Sequence, residues 1–268
     1  MLLNFKKMSM YKFGIIGLGL ISQYYIAAIN KNPDIKLVAF CDKNNKIQIL
    51  KNLNIPFYTD FKIMLDKQKL DAVIVLTPNH THIGIVTYAI TKKIHVLCEK
   101  PLGISIGAHE SVIKRAKAEG TIAWTAFHRR FNRNIKQLIN TTRSVKDLQT
   151  IHIRYLENIN EHSGGEKWYL DSKKSGGGCV IDNGINVFDL ILDFVPDPVV
   201  KSAELVYGKS GVDVKAKIKL FDSISEASII VDLDWNSAKE IKDIVITTRT
   251  DKIKANMLDG FPLFKESL

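Results

Sequence analysis

Along the first half of the chain, short apolar runs alternate with longer amphipathic ones. Lys12 to Ile16, Lys36 to Cys41, Ala72 to Leu76, His95 to Cys98 and Ile122 to Ala126 are too short and too apolar for surface helices. They predict strands buried on both faces. Between them, Ile21 to Asn30, Phe61 to Gln68, Thr81 to Thr91 and Ser105 to Glu119 carry helical periodicity, with Ser105 as the expected cap of the last. Repeated strand-helix-strand units build a parallel sheet with helices on both faces, a doubly wound α/β arrangement. From about Thr150 the pattern changes. Ile151, Ile153 and Tyr155 share one strand face, Ala216, Ile218 and Leu220 oppose Lys215, Lys217 and Lys219, and Ile229, Val231, Leu233 and Trp235 form a further stripe. Period two of this kind predicts a half-exposed, mostly antiparallel open sheet. The boundary falls near Phe127, before an expected helix from Asn132 to Thr141. Residues 1–127 are thus expected to form the doubly wound domain, and residues 128–268 an α+β domain.

A length of 268 residues exceeds what one compact core usually fills, in keeping with two domains. With 46% hydrophobic and 25% charged residues the composition is that of a globular chain, and no apolar run reaches the length of a membrane span. The opening Met1 to Lys7 lacks the apolar region of a signal peptide, so a cytoplasmic protein with no membrane partner is expected. Cys41, Cys98 and Cys179 are odd in number and widely spaced, which argues for reduced thiols rather than disulfides or a metal centre. The formal charge of +10 comes from scattered lysines, with no recognition helix or aromatic-basic cluster. A solvated basic surface is expected, and no nucleic-acid partner.

The turn Gly17-Leu18-Gly19-Leu20-Ile21-Ser22 follows a strand and opens a helix, the context a dinucleotide-binding fingerprint requires. Gly17 would make the tight turn, and Gly19 would let a pyrophosphate sit against backbone N–H groups. The alternative is an ordinary tight turn. Ser22 stands where a third Gly or Ala is usual. Asp42 ends the second strand at the distance expected of a ribose-binding acid, which favours NAD; Lys43 and Lys46 follow and could accept the extra phosphate of NADP. Thr77-Pro78-Asn79-His80-Thr81-His82 and Glu99-Lys100-Pro101 follow the next two strands. Loops at the carboxyl ends of parallel strands are where open sheets bind ligands. Lys100 is a candidate acid/base there, against the alternative of a surface ammonium, and His80 and His82 could instead cap the helix that follows.

Gly176-Gly177-Gly178-Cys179-Val180-Ile181-Asp182-Asn183-Gly184-Ile185-Asn186 puts Asp182 and Asn186 one helical turn apart behind a glycine-rich loop. With a helix from Ile185 to Leu192, the glycines would let backbone approach a ligand, and the carboxylate and amide would project together.

In this order these motifs, with His95-Val96-Leu97-Cys98-Glu99-Lys100-Pro101-Leu102 between them, resemble the glucose-fructose oxidoreductase and inositol dehydrogenase family over nearly the whole chain. The resemblance implies a Rossmann domain followed by an open-sheet domain and a nicotinamide-dependent dehydrogenase of sugars or sugar-like alcohols. It also implies a homodimer or homotetramer built through the sheet. Gly17, Leu18, Gly19, Leu20, Ile21, Asp42, Thr77, Pro78, Asn79, His82, Glu99 and Lys100 would hold NAD, or NADP. Family members usually have His where this chain has Asn186. An amide takes no proton, so base work falls to Lys100 or Asp182. A branch that also carries this Asn, the aldose 1-dehydrogenases acting on L-arabinose or D-galactose, is similar at Ala126 to Asn132, Tyr155 to Asn158 and Val231 to Trp235.

That similarity implies a sugar pocket lined by Lys100, His128, Glu157, Asp182 and Asn186. Glu157 shares a strand face with Ile151, Ile153 and Tyr155, so if buried it must be paired. Trp168 and Tyr169 could stack on a sugar or pack on the core. The chain departs from the aldose branch at Asn183, where Pro is common, and at its Ser-Gly-Gly-Gly run, leaving inositols, other sugars and nucleotide sugars open. It also stops at Phe261 to Leu268, short of the final helix family members usually place against the first domain. A non-catalytic NAD- and sugar-binding protein is the alternative from another class.

Overall fold

The structure is a computed structural model that describes residues 10–44, 54–142, 147–163, 165–258 and 263–267. It divides into two compact units, Met1–Ala126 and Phe127–Leu268. Lys46, and Phe261, Pro262 and Leu268 of the C-terminal stretch, lie outside the described residues.

In the first unit, β1 (Tyr11–Ile16), β2 (Ile35–Cys41), β3 (Phe57–Tyr58), β4 (Ala72–Val75), β5 (His95–Glu99) and β6 (Ala123–Ala126) pair in parallel, in the order β3-β2-β1-β4-β5-β6. The connecting helices are α1 (Ser22–Asn30), α2 (Phe61–Lys67), α3 (His82–Thr91) and α4 (Ile106–Glu119). All four residues of β4 are buried, as a central strand covered on both faces must be. The direction of strand addition reverses between β1 and β4, so their carboxyl ends flank the crevice where such sheets take ligands. Ser105 sits in extended backbone just ahead of α4, but its side chain makes no capping bond, contrary to the expectation. Asp60 does cap α2, accepting from Lys62 N at 2.7 Å and Ile63 N at 3.3 Å.

The second unit holds α5 (Arg133–Thr142), β7 (Leu148–Asn158), α6 (Ile159–His162), α7 (Ser172–Ser175) and α8 (Ile185–Ile191). They are followed by β8 (Pro198–Tyr207), β9 (Asp213–Asp222), β10 (Ser228–Asp234), β11 (Asn236–Thr248), β12 (Asp251–Asn256) and β13 (Phe264–Ser267). The sheet order is β13-β12-β11-β7-β10-β9-β8, antiparallel throughout except for the β7–β10 pair. The predicted stripes make the core: Ile151, Ile153, Ile229, Val231, Leu233 and Trp235 are all fully buried. On the opposite face Lys217, Asp232, Arg154 and Asp243 follow one another across four adjacent strands, so the charges alternate in sign. Asp243 is buried there, which works to raise its pKa, but Arg154 at 2.6 Å and Lys254 at 3.1 Å hold it below the usual carboxylate value.

The three cysteines are free and buried. Burial, reinforced by Asp42, pushes the Cys41 thiol up to about 12, and burial likewise raises Cys98 and Cys179. Among the described residues no helix is long and apolar enough to cross a membrane.

Candidate active site

The glycine turn after β1 is built to leave backbone accessible. Gly17 has φ +95°, and a Cβ there would lie 2.7 Å from the Leu76 carbonyl carbon and oxygen, so only glycine passes beneath β4's end. At Gly19 a Cβ would meet nothing within 4 Å. Ser22 is buried, and its Oγ donates to Gly19 O at 2.7 Å, so the hydroxyl in the third-glycine position ties the turn to the first residue of α1. Asp42 Oδ2 accepts from Leu18 N at 2.7 Å, and its Oδ1 from Asn44 N at 2.8 Å. The turn is therefore fixed from behind while its Gly19 side stays open at a helix N-terminus, which fits a dinucleotide pyrophosphate. Leu20 and Ile21 are exposed on it and Leu18 is buried.

The two loops after β4 and β5 are joined by a residue enclosed within the unit. His82, the first residue of α3, is 0% exposed; its Nδ1 lies 2.7 Å from Pro101 O and its Nε2 2.6 Å from Thr77 O. Burial outweighs these two acceptors and holds its pKa below the ordinary histidine value. His82, expected to contact the cofactor, has both ring nitrogens facing backbone carbonyls and so ties the Thr77 loop to the Lys100–Pro101 loop. Thr81 Oγ1 adds a 2.7 Å bond to Pro78 O, and Asn79 is buried beside it. Glu99 accepts from Tyr25 OH at 2.6 Å, which with burial raises the Tyr25 pKa, and from Lys100 N at 3.1 Å. His80 is exposed and Lys100 half-buried.

In the second unit, Val180–Gly184 winds as a π-helical turn that runs directly into α8. No local residue pattern marks this widening, which recurs at functional sites. The glycine run ahead of it approaches protein, not ligand, correcting the sequence expectation. A Cβ on Gly178 would fall 1.8 Å from Asp213 O. The Asp213 backbone fills that space, and its carboxylate accepts from Gly178 N at 2.7 Å and Val180 N at 2.8 Å. Asp182 is half-buried within the turn. Asn186 is 1% exposed, and neither its amide oxygen nor its amide nitrogen has a hydrogen-bond partner. Each such orphan costs about 1–3 kcal/mol, a cost that a polar group of a bound molecule would relieve.

Glu157 has the pairing its burial demands. Lys242 Nζ lies 2.6 Å from Oε2, and Asn183 Nδ2 donates to Oε1 at 2.9 Å. Glu157, His162 and Glu240 bring possible ligand atoms within 4.8 Å of one another, but Lys242 Nζ also contacts Glu240, so the cation among these carboxylates is an ammonium. Burial works to lower the Lys242 pKa, yet Tyr155, Glu157 and Glu240 carry it above the ordinary lysine value. His128 is exposed at the start of a 3₁₀ turn ahead of α5; its neighbour Arg129 donates to Tyr155 OH at 2.6 Å. Trp168 stacks on Tyr169, with ring centroids 3.8 Å apart, and Tyr169 packs on the core.

The chain is similar to known proteins in sequence and in fold. Myo-inositol 2-dehydrogenase of Thermotoga maritima is 26% identical over 252 residues, covering 93% of this chain and 68% of the relative. Galactose 1-dehydrogenase of Pseudomonas fluorescens is 26% identical over 214 residues, covering 79% and 66%. The chain thus spans about two thirds of the length of these curated relatives. The crystal structure of a D-galactose-1-dehydrogenase protein from Rhizobium etli superposes with a TM-score of 0.84 at 22% identity, over 98% of this chain and 85% of that one, and so shares the fold. The family model described as "Oxidoreductase family, NAD-binding Rossmann fold" matches residues 11–127, which include the open glycine turn, Asp42 and the Lys100 loop. Residues 11–127 are thus similar to an NAD-binding Rossmann oxidoreductase unit, and the chain is similar over most of its length to an inositol dehydrogenase and a galactose dehydrogenase.

Proposed function

We propose that the protein is a nicotinamide-dependent dehydrogenase that oxidises a secondary or hemiacetal alcohol of a sugar, with the C1 hydroxyl of an aldose going to a lactone. The observation that carries this reading is Asn186, whose buried amide offers one unmet donor and one unmet acceptor four positions after Asp182. An alcohol oxygen both donates and accepts, so it answers both needs. A nicotinamide cofactor held at the Gly17–Gly19 turn would supply the hydride acceptor. The chain's own residues must hold the carbinol still and receive its hydroxyl proton. Asn186 cannot take that proton, which leaves Lys100 and Asp182 as the two bases available. His128 is assigned to a further sugar hydroxyl and Trp168 to an apolar sugar face. Asp42, a carboxylate where NADP carries a phosphate, supports NAD as the preferred form.

Cyclic polyols are the second substrate class, because the inositol and galactose dehydrogenases match the chain at the same 26% identity. Purified protein incubated with NAD and, in turn, D-galactose, L-arabinose, myo-inositol and a nucleotide sugar tests the reading through the appearance of reduced nicotinamide. Turnover that disappears in both Lys100→Ala and Asp182→Ala supports it. Turnover undiminished in both variants, or absent with every substrate despite NAD binding, overturns it.

A further inference from the structure

Glu157 was expected on a sugar hydroxyl. It is 4% exposed, and its two oxygens are taken by Lys242 and by Asn183. Asn183 lies in the π-helical turn between Asp182 and the start of α8. π turns are rare and occur mostly as single-turn interruptions of α-helices, frequently at functional sites. Here the sheet holds the turn at two points through buried carboxylates. Asp213 on β9 accepts from the backbone where the turn begins, and Glu157 on β7 accepts from Asn183 in its middle. Lys242 on β11, 3% exposed, balances the Glu157 charge and also lies over the Tyr155 ring at 4.8 Å. A lone buried carboxylate would be costly to keep ionised, so the ammonium is what lets Glu157 serve as a fixed acceptor.

We propose that Glu157 is a positioning residue rather than a sugar ligand: backed by Lys242, it grips Asn183 and so fixes the turn that carries Asp182 and delivers Asn186. The inference rests on the catalytic reading of Asp182 and Asn186 given above. It also gives Asn183, which replaces the proline of the aldose branch, a task that proline lacks the donor to perform.

Asn183→Leu cuts the grip while leaving the Lys242–Glu157 pair in place. In that variant the backbone amides of residues 178–186 should exchange with deuterium at least about tenfold faster, with exchange elsewhere and NADH affinity unchanged. On whichever of D-galactose or myo-inositol the native chain oxidises, kcat should fall on the order of a hundredfold while KM stays within about threefold. Lys242→Met should reproduce both effects and Lys242→Arg should restore them. Unchanged exchange in both Asn183→Leu and Lys242→Met overturns the grip. Faster exchange with native kcat, or a rise in KM alone, overturns its catalytic purpose. If the native chain oxidises neither, kcat is read on whichever of L-arabinose or the nucleotide sugar it turns over; if it turns over none of the four, the dehydrogenase reading fails by itself, and the exchange result still decides whether the turn is held as described.

Discussion

Two glycine-rich turns precede helices in this chain, and they are built for opposite ends. At Gly17–Gly19 the backbone is braced from behind by Asp42, and a Cβ on Gly19 would meet nothing. At Gly176–Gly178 the corresponding anion site is filled by the protein's own Asp213, whose backbone oxygen lies where a Gly178 Cβ would go. Both answer the same need, since N–H groups at a helix start call for negative charge. The second turn receives that charge from Asp213, while the first receives Asp42 only at Leu18 N, and the proposed function assigns its open Gly19 side to the cofactor's pyrophosphate. A glycine run therefore reports a close approach, and only the surrounding strands say what approaches.

Substitutions that add one methyl group at each turn separate the two most sharply. Gly178→Ala should destabilise the second unit by about 3 kcal/mol or more, read as a fall in the urea midpoint, because backbone rather than a flexible side chain must move. An unchanged midpoint would show that Asp213 does not pack against Gly178. Asp213→Asn should cost about 2 kcal/mol, since an amide cannot accept from both N–H groups as the carboxylate does, while NADH affinity stays native. Gly19→Ala should reverse that signature. Stability should change by less than about 0.5 kcal/mol, while NADH should bind about tenfold more weakly, or about 1.4 kcal/mol, by titration of nicotinamide fluorescence. Equal NADH affinity would remove the pyrophosphate from this turn.

The smallest effect concerns the support behind the open turn. Gly17 presses on the Leu76–Thr77 backbone, and His82 holds Thr77 O. His82 has a lowered pKa in the folded state, so the unfolded chain binds the proton more readily. Its contribution to stability is thus complete above the unfolded value of about 6.5 and is lost as pH falls from there through the lower folded value. Thermal unfolding midpoints measured from pH 7.5 down to 5 should show this decline in the native chain and a flatter profile in His82→Gln. Identical profiles would mean that His82 is not kept neutral.

The first unit was largely legible because its strands are continuous apolar runs and its helices keep one period, both local signals. The two-residue β3 escaped notice, since Phe57 and Tyr58 gain their strand only by pairing with Phe40 and Cys41. In the second unit the stripes of β7, β9 and β10 could be read from alternation, but the parallel β7–β10 pairing is a long-range choice that alternation does not encode. The site shows the same limit. Asp182 and Asn186 stood out by spacing, and Glu157 by its place among apolar neighbours. Its partner Lys242 lies on another strand, where it looked like one more surface lysine. The role of His82 was hidden for the same reason: the carbonyls it bridges belong to residues with no distinguishing side chain.

The burial of all three sulfur atoms has a practical consequence. Thiolates, not thiols, react with alkylating reagents, and each native cysteine is both enclosed and strongly disfavoured from ionising. The folded protein should consequently be almost silent toward maleimides and iodoacetamide. A single cysteine engineered at exposed Lys173 or Tyr207 would then accept a fluorophore or spin label against a dark background, without first stripping the chain of its own sulfur.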